Sequence, residues 1–272
     1  MEHPLMSALL SVEGIQVIYQ RAIVGVHDVS FKAQAGQIIV LLGANGAGKT
    51  TTLRAITGFL GLDDAKVGQG HILFDGTRIE NLPPYETARG GIILVPEREK
   101  VFPNLTVSEN LAVPVAYRVT RSERMHREDL VYEMFPRLAV LRRRVGGLLS
   151  GGERQMLGLA CALVSHPQLL LIDELSLGLA PIVLEALMQQ IVRIRDELGI
   201  GIVMVEQNAV AALAIADYAY VLENGRIAIE GLPQDLRKGD QMQQSYFGGS
   251  GASGQRSYRD LKRDARQGLF DG

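Results

Sequence analysis

Tryptophan is absent from this 272-residue chain, and cysteine occurs once, as Cys161. One thiol excludes an internal disulfide and points to a reducing compartment. Within the apolar run MLGLACALV it reads as a small buried side chain. Neither sign of charge is in excess: 28 Lys+Arg stand against 30 Asp+Glu, a net charge of −2. No general attraction to nucleic acid or to an anionic membrane surface follows from that balance. No apolar run approaches the roughly 20 residues that cross a bilayer. The N-terminal MEHPLMSALLSVEG lacks a basic segment followed by a long apolar run, so no signal peptide is expected. These absences predict a cytosolic chain that reaches any membrane through a partner. What the chain does have is 47% apolar residues, enough for one large domain with subdomains or two small ones.

Apolar β-branched runs alternate with helical patterns. QIIVLLG (residues 37–43), QLLLID (168–173) and IGIVMVE (200–206) read as buried strands. Each is followed by a helix: KTTTLRAITGFL, then PIVLEALMQQIVRIRDEL, then residues 209–216. Such strands, buried on both faces, imply a parallel α/β sheet. Residues 8–35 and 70–80 alternate apolar and polar and predict a small antiparallel sheet packed on the main one. Residues 104–150 predict a charged helical insertion. Its basic residues Arg118, Arg121, Arg124, Arg127 and Arg142 to Arg144 lie among Glu123, Glu128 and Asp129, the pattern of a solvated helix face. Past residue 249 the chain turns Gly/Ser-rich and then charged, which predicts a loosely ordered tail over 250–272.

GANGAGKTT, residues 43–51, matches G-x-x-x-x-G-K-[ST] after a predicted strand and before a predicted helix, the context this motif requires. Gly43, Asn45, Gly46, Ala47 and Gly48 form a loop whose backbone N–H groups can turn inward on phosphates. Lys49 supplies a charge for the β and γ phosphates, and the helix after it presents its positive end, with Thr51 in its first turn. The Thr50 hydroxyl suits Mg²⁺. The chain is thus predicted to bind a nucleoside triphosphate. LLLIDE then places Asp173 and Glu174 at the carboxyl end of a buried strand, where open α/β sheets hold ligands. Asp173 is predicted to hold Mg²⁺ through its water shell and Glu174 to act as general base on the attacking water, a pairing that favours hydrolysis over kinase chemistry.

LLSGGERQM, residues 148–156, sets Ser150, Gly151 and Gly152 at a predicted helix start. Such a turn is either a plain N-cap or an anion-binding device for a γ-phosphate. One γ-phosphate hardly needs two full cradles from one chain, so the second reading predicts two chains, each completing the other's site.

With these motifs in order, the sequence resembles the ATP-binding cassette ATPases over about residues 8–249. GANGAGKT corresponds to the family's Walker A loop, LSGGE to its signature and LLLIDE to its Walker B strand. The resemblance implies an α/β P-loop (RecA-like) core, an antiparallel β-subdomain, a helical subdomain over about 98–155, and a head-to-tail dimer closing on two ATP molecules with Mg²⁺. It places Tyr19 where the family stacks an aromatic on adenine. Three positions depart from the general pattern: Glu97 for a glutamine that contacts Mg²⁺ and water, Ala180 for an aspartate, and Gln207 for a histidine. Together they resemble the ATPase subunits of the branched-chain amino acid importers and their urea and amide relatives. That group usually has proline where this chain has Leu175. Gln207 can still donate to a γ-phosphate, and Glu97 can accept at Mg²⁺ or water. The resemblance further implies transmembrane permease subunits and a second cassette, identical or similar, as partners, and indirectly an extracytoplasmic solute-binding protein. The segment REKVFPNLTVSENL, with Val101, Phe102, Leu105 and Val107, is where the family receives a coupling helix of the permease. A soluble cassette working on nucleic acid is the rival reading, but a single cassette without sustained heptads or positive charge argues for no nucleic acid. A lipopolysaccharide exporter subunit, or a regulator that binds ATP without hydrolysing it, are further alternatives.

Overall fold

A computed structural model describes residues 8–20, 22–98, 100–114 and 120–238. The predicted tail over 250–272, the end of the cassette beyond 238 and Arg118 lie outside the described residues.

Two long antiparallel strands, β1 (Leu10–Tyr19) and β2 (Ile23–Ala33), precede the fully buried β3 (Ile38–Gly43). The glycine loop leads from β3 into α1 (Lys49–Thr57). β4 (Ala65–Phe74) returns to pair with β1, followed by β5 (Thr77–Arg78), α2 (Pro84–Arg89) and β6 (Ile92–Val95). The inserted region holds α3 (Val107–Ala112), α4 (Arg121–Met134) and α5 (Pro136–Val140). α6 (Gly151–Val164) carries the chain back to β7 (Leu169–Asp173). Then come α7 (Pro181–Leu198), β8 (Gly201–Glu206), α8 (Ala209–Ile215), β9 (Tyr218–Glu223), β10 (Arg226–Gly231) and α9 (Pro233–Leu236).

The strands follow the order β5-β4-β1-β2-β10-β9-β3-β8-β7-β6. β9, β3, β8, β7 and β6 are parallel, with helices covering the sheet. β3 shows why its residues are all apolar. Ile38, Val40 and Leu42 enter a core with Leu157, Leu187 and Ile191 of α6 and α7, while Ile39 and Leu41 enter another with Leu53 and Ile56 of α1. The antiparallel wing packs on that second core through Ile15, Val29 and Ile72, as expected. It is also continuous with the main sheet, because β10 runs antiparallel to β9 and meets β2 at the single parallel pair Arg226–Asp28.

Three helices of the inserted region and its exit begin on the same device. Thr106, Thr120 and Ser150 each accept from the backbone N–H three residues on, and Glu109, Glu123 and Glu153 accept in return. Each reciprocal cap satisfies otherwise orphaned N–H groups at about 1 kcal/mol. α6 begins in the inserted region yet runs on to place Leu157, Leu159 and Leu163 in the core beneath the parallel sheet. The signature turn is therefore the exposed end of a helix anchored in the sheet.

Candidate nucleotide site

Residues 43–51 form a loop at the carboxyl end of β3. Gly46 and Gly48 have φ of 81° and 101°, a left-handed backbone that favours glycine. A Cβ on Gly43 would lie 2.6 Å from the Leu222 carbonyl oxygen, so this end of the loop presses directly on β9. Lys49 is 4% exposed, and its Nζ donates to the carbonyls of Gly43 at 2.9 Å and Ala44 at 3.2 Å. The Thr51 hydroxyl lies 3.0 Å from Tyr19 Oη. The tyrosine ring rests against β2 at Gly25, where a Cβ would stand 2.7 Å from it.

The acids at the end of β7 meet this loop. Thr50 Oγ1 donates to Asp173 Oδ1 at 3.2 Å. Burial pushes the Asp173 carboxyl up, opposed by the Thr50 bond. Glu174 Oε1 stands 3.3 Å from Lys49 Nζ, and Gln207 Nε2 donates to both Glu174 oxygens at 3.0 Å and to Asn45 Oδ1. Asn45, Gly46, Gly48, Lys49, Thr50, Thr51, Glu97, Glu174 and Gln207 line one cleft of about 490 Å³, joined by Gly25, Arg98 and Leu177. Glu97 accepts from Arg98 Nε at 3.0 Å. The donor set fits Mg²⁺ carried in with a nucleotide: a hydroxyl and a carboxylate in contact, both hard oxygens, beside a phosphate loop. Among the described residues no group of three or more His, Cys, Asp or Glu could hold a metal ion by itself, so a metal here draws its remaining ligands from phosphate and water.

Residues 26–176 match the family model described as ABC transporter. The chain belongs to the ABC transporter family. It is 40% identical over 241 residues to the high-affinity branched-chain amino acid transport ATP-binding protein BraG of Pseudomonas aeruginosa, covering 89% of this cassette and all of that protein. It is 38% identical to the probable branched-chain amino acid transport ATP-binding protein LivF of Archaeoglobus fulgidus, over 81% of this cassette and 91% of that one. The lipopolysaccharide export system ATP-binding protein LptB of Escherichia coli K12 is 33% identical over 82% and 90%. An ABC transporter cassette solved in its ADP conformation superposes with a TM-score of 0.77 at 25% identity, covering 89% of this chain and all of that one. The expected ABC ATPase fold and ATPase class are those of the family.

The signature turn of this ABC cassette does not line the cleft: Ser150, Gly151 and Gly152 are not among its lining residues, and Gly151 lines the neighbouring groove that shares Glu97, Arg98 and Leu177 with it. Ser150 caps α6, accepting from Glu153 N at 3.3 Å, while Glu153 binds Ser150 N at 2.9 Å and Arg137 at 3.0 Å. The two glycines differ in their reasons. A Cβ on Gly152 would lie 2.5 Å from Val183 Cγ1, so packing on α7 demands glycine there. At Gly151 it would make ordinary contact with Leu179 at 3.5 Å, and the residue is exposed. The N-cap reading is what the structure displays, and the first turn beside it is open at Gly151.

The segment expected to receive the permease is divided. Val107 is buried in the core and Val101 packs against it, whereas Phe102 is 54% exposed. A groove of about 820 Å³ runs beside it between α1 and α6, lined by Arg54, Phe59, Leu62, Pro84, Arg98 and Cys161 among others. The sequence reading missed Glu206, Gln155 and Gly25. Glu206 was visible as an acid ending an otherwise apolar strand; for Gly25, whose partner Tyr19 lies on the neighbouring strand, no sequence signal exists.

Proposed function

We propose that this chain is the ATP-hydrolysing subunit of an importer that carries branched-chain amino acids or a related small amide or urea solute across the cytoplasmic membrane. One observation carries the mechanism: the phosphate loop, Glu174 and Gln207 line one cleft, with Asp173 bonded to Thr50 at its edge, while Ser150, Gly151 and Gly152 of the same chain are not part of that lining. The site is then complete when a second cassette offers its own Ser150, Gly151 and Gly152 to the γ-phosphate held by the first.

In this reading Lys49 binds the β and γ phosphates, leaving its bond to Glu174 for them. Thr50 and Asp173 would hold Mg²⁺, which when bound would supply charge neutralisation at the phosphates, and Glu97 would serve as a further acceptor beside them. Glu174 takes a proton from the attacking water as the bond between the γ-phosphorus and the bridging oxygen breaks and ADP leaves. Gln207, already bonded to Glu174, aims that carboxylate and donates to the γ-phosphate. Tyr19 stacks on adenine. ATP draws two cassettes together because the closed pair binds it better than the open one, and hydrolysis releases them. The groove between α1 and α6, with exposed Phe59 and Leu62 at its rim, takes the permease element, so the chain is peripheral on the cytoplasmic face. Identity to BraG and LivF above that to LptB supports import over export.

The test has two parts. Glu174→Gln should abolish phosphate release and trap an ATP-bound dimer; unchanged hydrolysis removes Glu174 from the base role. Reconstituted with its permease subunits and binding protein in vesicles, the wild type should accumulate leucine, isoleucine or valine, or a small amide. Accumulation of none of these would sink the solute class.

A further inference from the structure

Glu206 is a carboxylate with 0% exposure at the end of β8, and the scheme above does not use it. It accepts from Leu175 N at 2.8 Å, Ser176 N at 3.0 Å and Ser176 Oγ at 2.5 Å. The residue before them, Glu174, has φ of 44°, a left-handed conformation unfavourable for a side chain with a Cβ. Its own N–H is bonded to the Val205 carbonyl at 3.0 Å. Three consecutive amides, 174 to 176, are thus pinned by two consecutive residues of β8. The next residue, Gln207, holds the Glu174 carboxylate itself. From the other side Gln155 of α6 donates to the Leu175 carbonyl at 3.3 Å, and Lys100 in turn donates to Gln155. The Leu175 N–H is thus used, and a proline at this position would have none to give.

We propose that Glu206 is a positioning residue that clasps the Leu175–Ser176 backbone, fixes the strained turn at Glu174, and so aims the general base, with Gln155 tying the same peptide to the signature helix. The inference rests on the reading of Glu174 as base. Burial raises the Glu206 carboxyl, and the bonds from Ser176 and Leu175 counter it. A buried acid is tolerated when its oxygens are bonded, and here both oxygens of Glu206 accept, Oε1 from two N–H groups and Oε2 from the Ser176 hydroxyl.

ATP hydrolysis by the full chain in its assembled transporter is compared for Glu206→Ala, Glu206→Gln, Ser176→Ala and Glu174→Gln, with melting temperature measured alongside. Glu206→Ala should lower kcat about tenfold to a hundredfold, the effect of a displacement near 1 Å, and leave KM for ATP within about twofold. Glu206→Gln, whose amide oxygen still accepts from both N–H groups, should restore most of the rate. Ser176→Ala keeps the two amide bonds and the fold; it should lower kcat a few-fold, less so when Glu206 is already alanine. Wild-type kcat in Glu206→Ala and Ser176→Ala, with Glu174→Gln inactive, overturns the clasp and leaves the base reading intact. A raised KM at unchanged kcat overturns it too. If Glu174→Gln turns over normally, the base reading falls and takes this proposal with it. Should Glu206→Ala not fold, Ser176→Ala decides: lower kcat at unchanged KM and melting temperature supports the clasp, and unchanged kcat rejects it.

Discussion

A glutamine at position 207 changes what the site can do with protons. Histidine there could carry charge near neutrality; glutamine donates at every pH. Its Nε2 reaches both oxygens of Glu174 at 3.0 Å, so Gln207→Ala should lower kcat on the order of a hundredfold, the usual cost of one aimed donor. Gln207→His should retain part of that rate and add a limb to the pH profile of kcat near pH 6.5 that the wild type lacks. An unaltered rate in Gln207→Ala would exclude the side chain from the chemistry. Cys161, expected to be buried but only half-buried on the lining of the groove between α1 and α6, offers a second check at this scale. Burial pushes its thiol from 9.0 up to about 12, which leaves little thiolate near neutrality. Maleimide at pH 7.5 should label the native protein far more slowly than the unfolded chain; equal rates would contradict the packing of α6.

Helix starts separate stability from function. Thr120 and Ser150 make the same reciprocal cap on α4 and α6, but Ser150 stands in the turn proposed to meet a second cassette's nucleotide. Thr120→Ala and Ser150→Ala should each cost about 1 kcal/mol of stability in denaturant titrations, and Ser150→Ala alone should lose ATP turnover. Equal turnover in both would leave Ser150 as a cap and no more. The Glu153 carboxyl is held below 4.5, chiefly by the Ser150 backbone N–H. A lowered folded value means this contribution is complete above pH 4.5 and fades as pH falls through Glu153's own lower value. Elements whose signals are local were legible in the sequence: the glycine loop after β3, the paired acids after β7, and the Ser150 cap, whereas the caps at Thr106 and Thr120 were not singled out. The clasp on Glu174 was not, because Glu206 lies 31 residues from Leu175 and no local pattern announces a partner on a neighbouring strand. Likewise β9 and β10 were not singled out, and they form the hinge through which the antiparallel wing becomes continuous with the parallel sheet.

At the level of the molecule, the decisive fact is a separation. The cleft gathers Lys49, Thr50, Glu174 and Gln207, whereas the capped turn of α6, whose far end is fixed beneath the parallel sheet, contributes none of its lining and instead places Gly151 on the neighbouring groove. A head-to-tail pair resolves this, because each twofold-related chain can then lend its turn to the other's phosphate loop. The geometry makes a quantitative demand. In the proposed pair, two copies disabled at Lys49 should be inactive, as should two disabled at Ser150, but a mixed pair should keep one sound site: the intact loop of one chain facing the intact turn of the other. Random pairing of equal amounts makes mixed pairs half of the total, each with one of two sites working, so the mixture should recover up to about a quarter of the wild-type rate. Activity should also fall on dilution as pairs part. A monomer that hydrolyses ATP at a concentration-independent rate with Ser150 replaced would mean that the cleft is sufficient by itself, and the turn on α6 would then need another explanation.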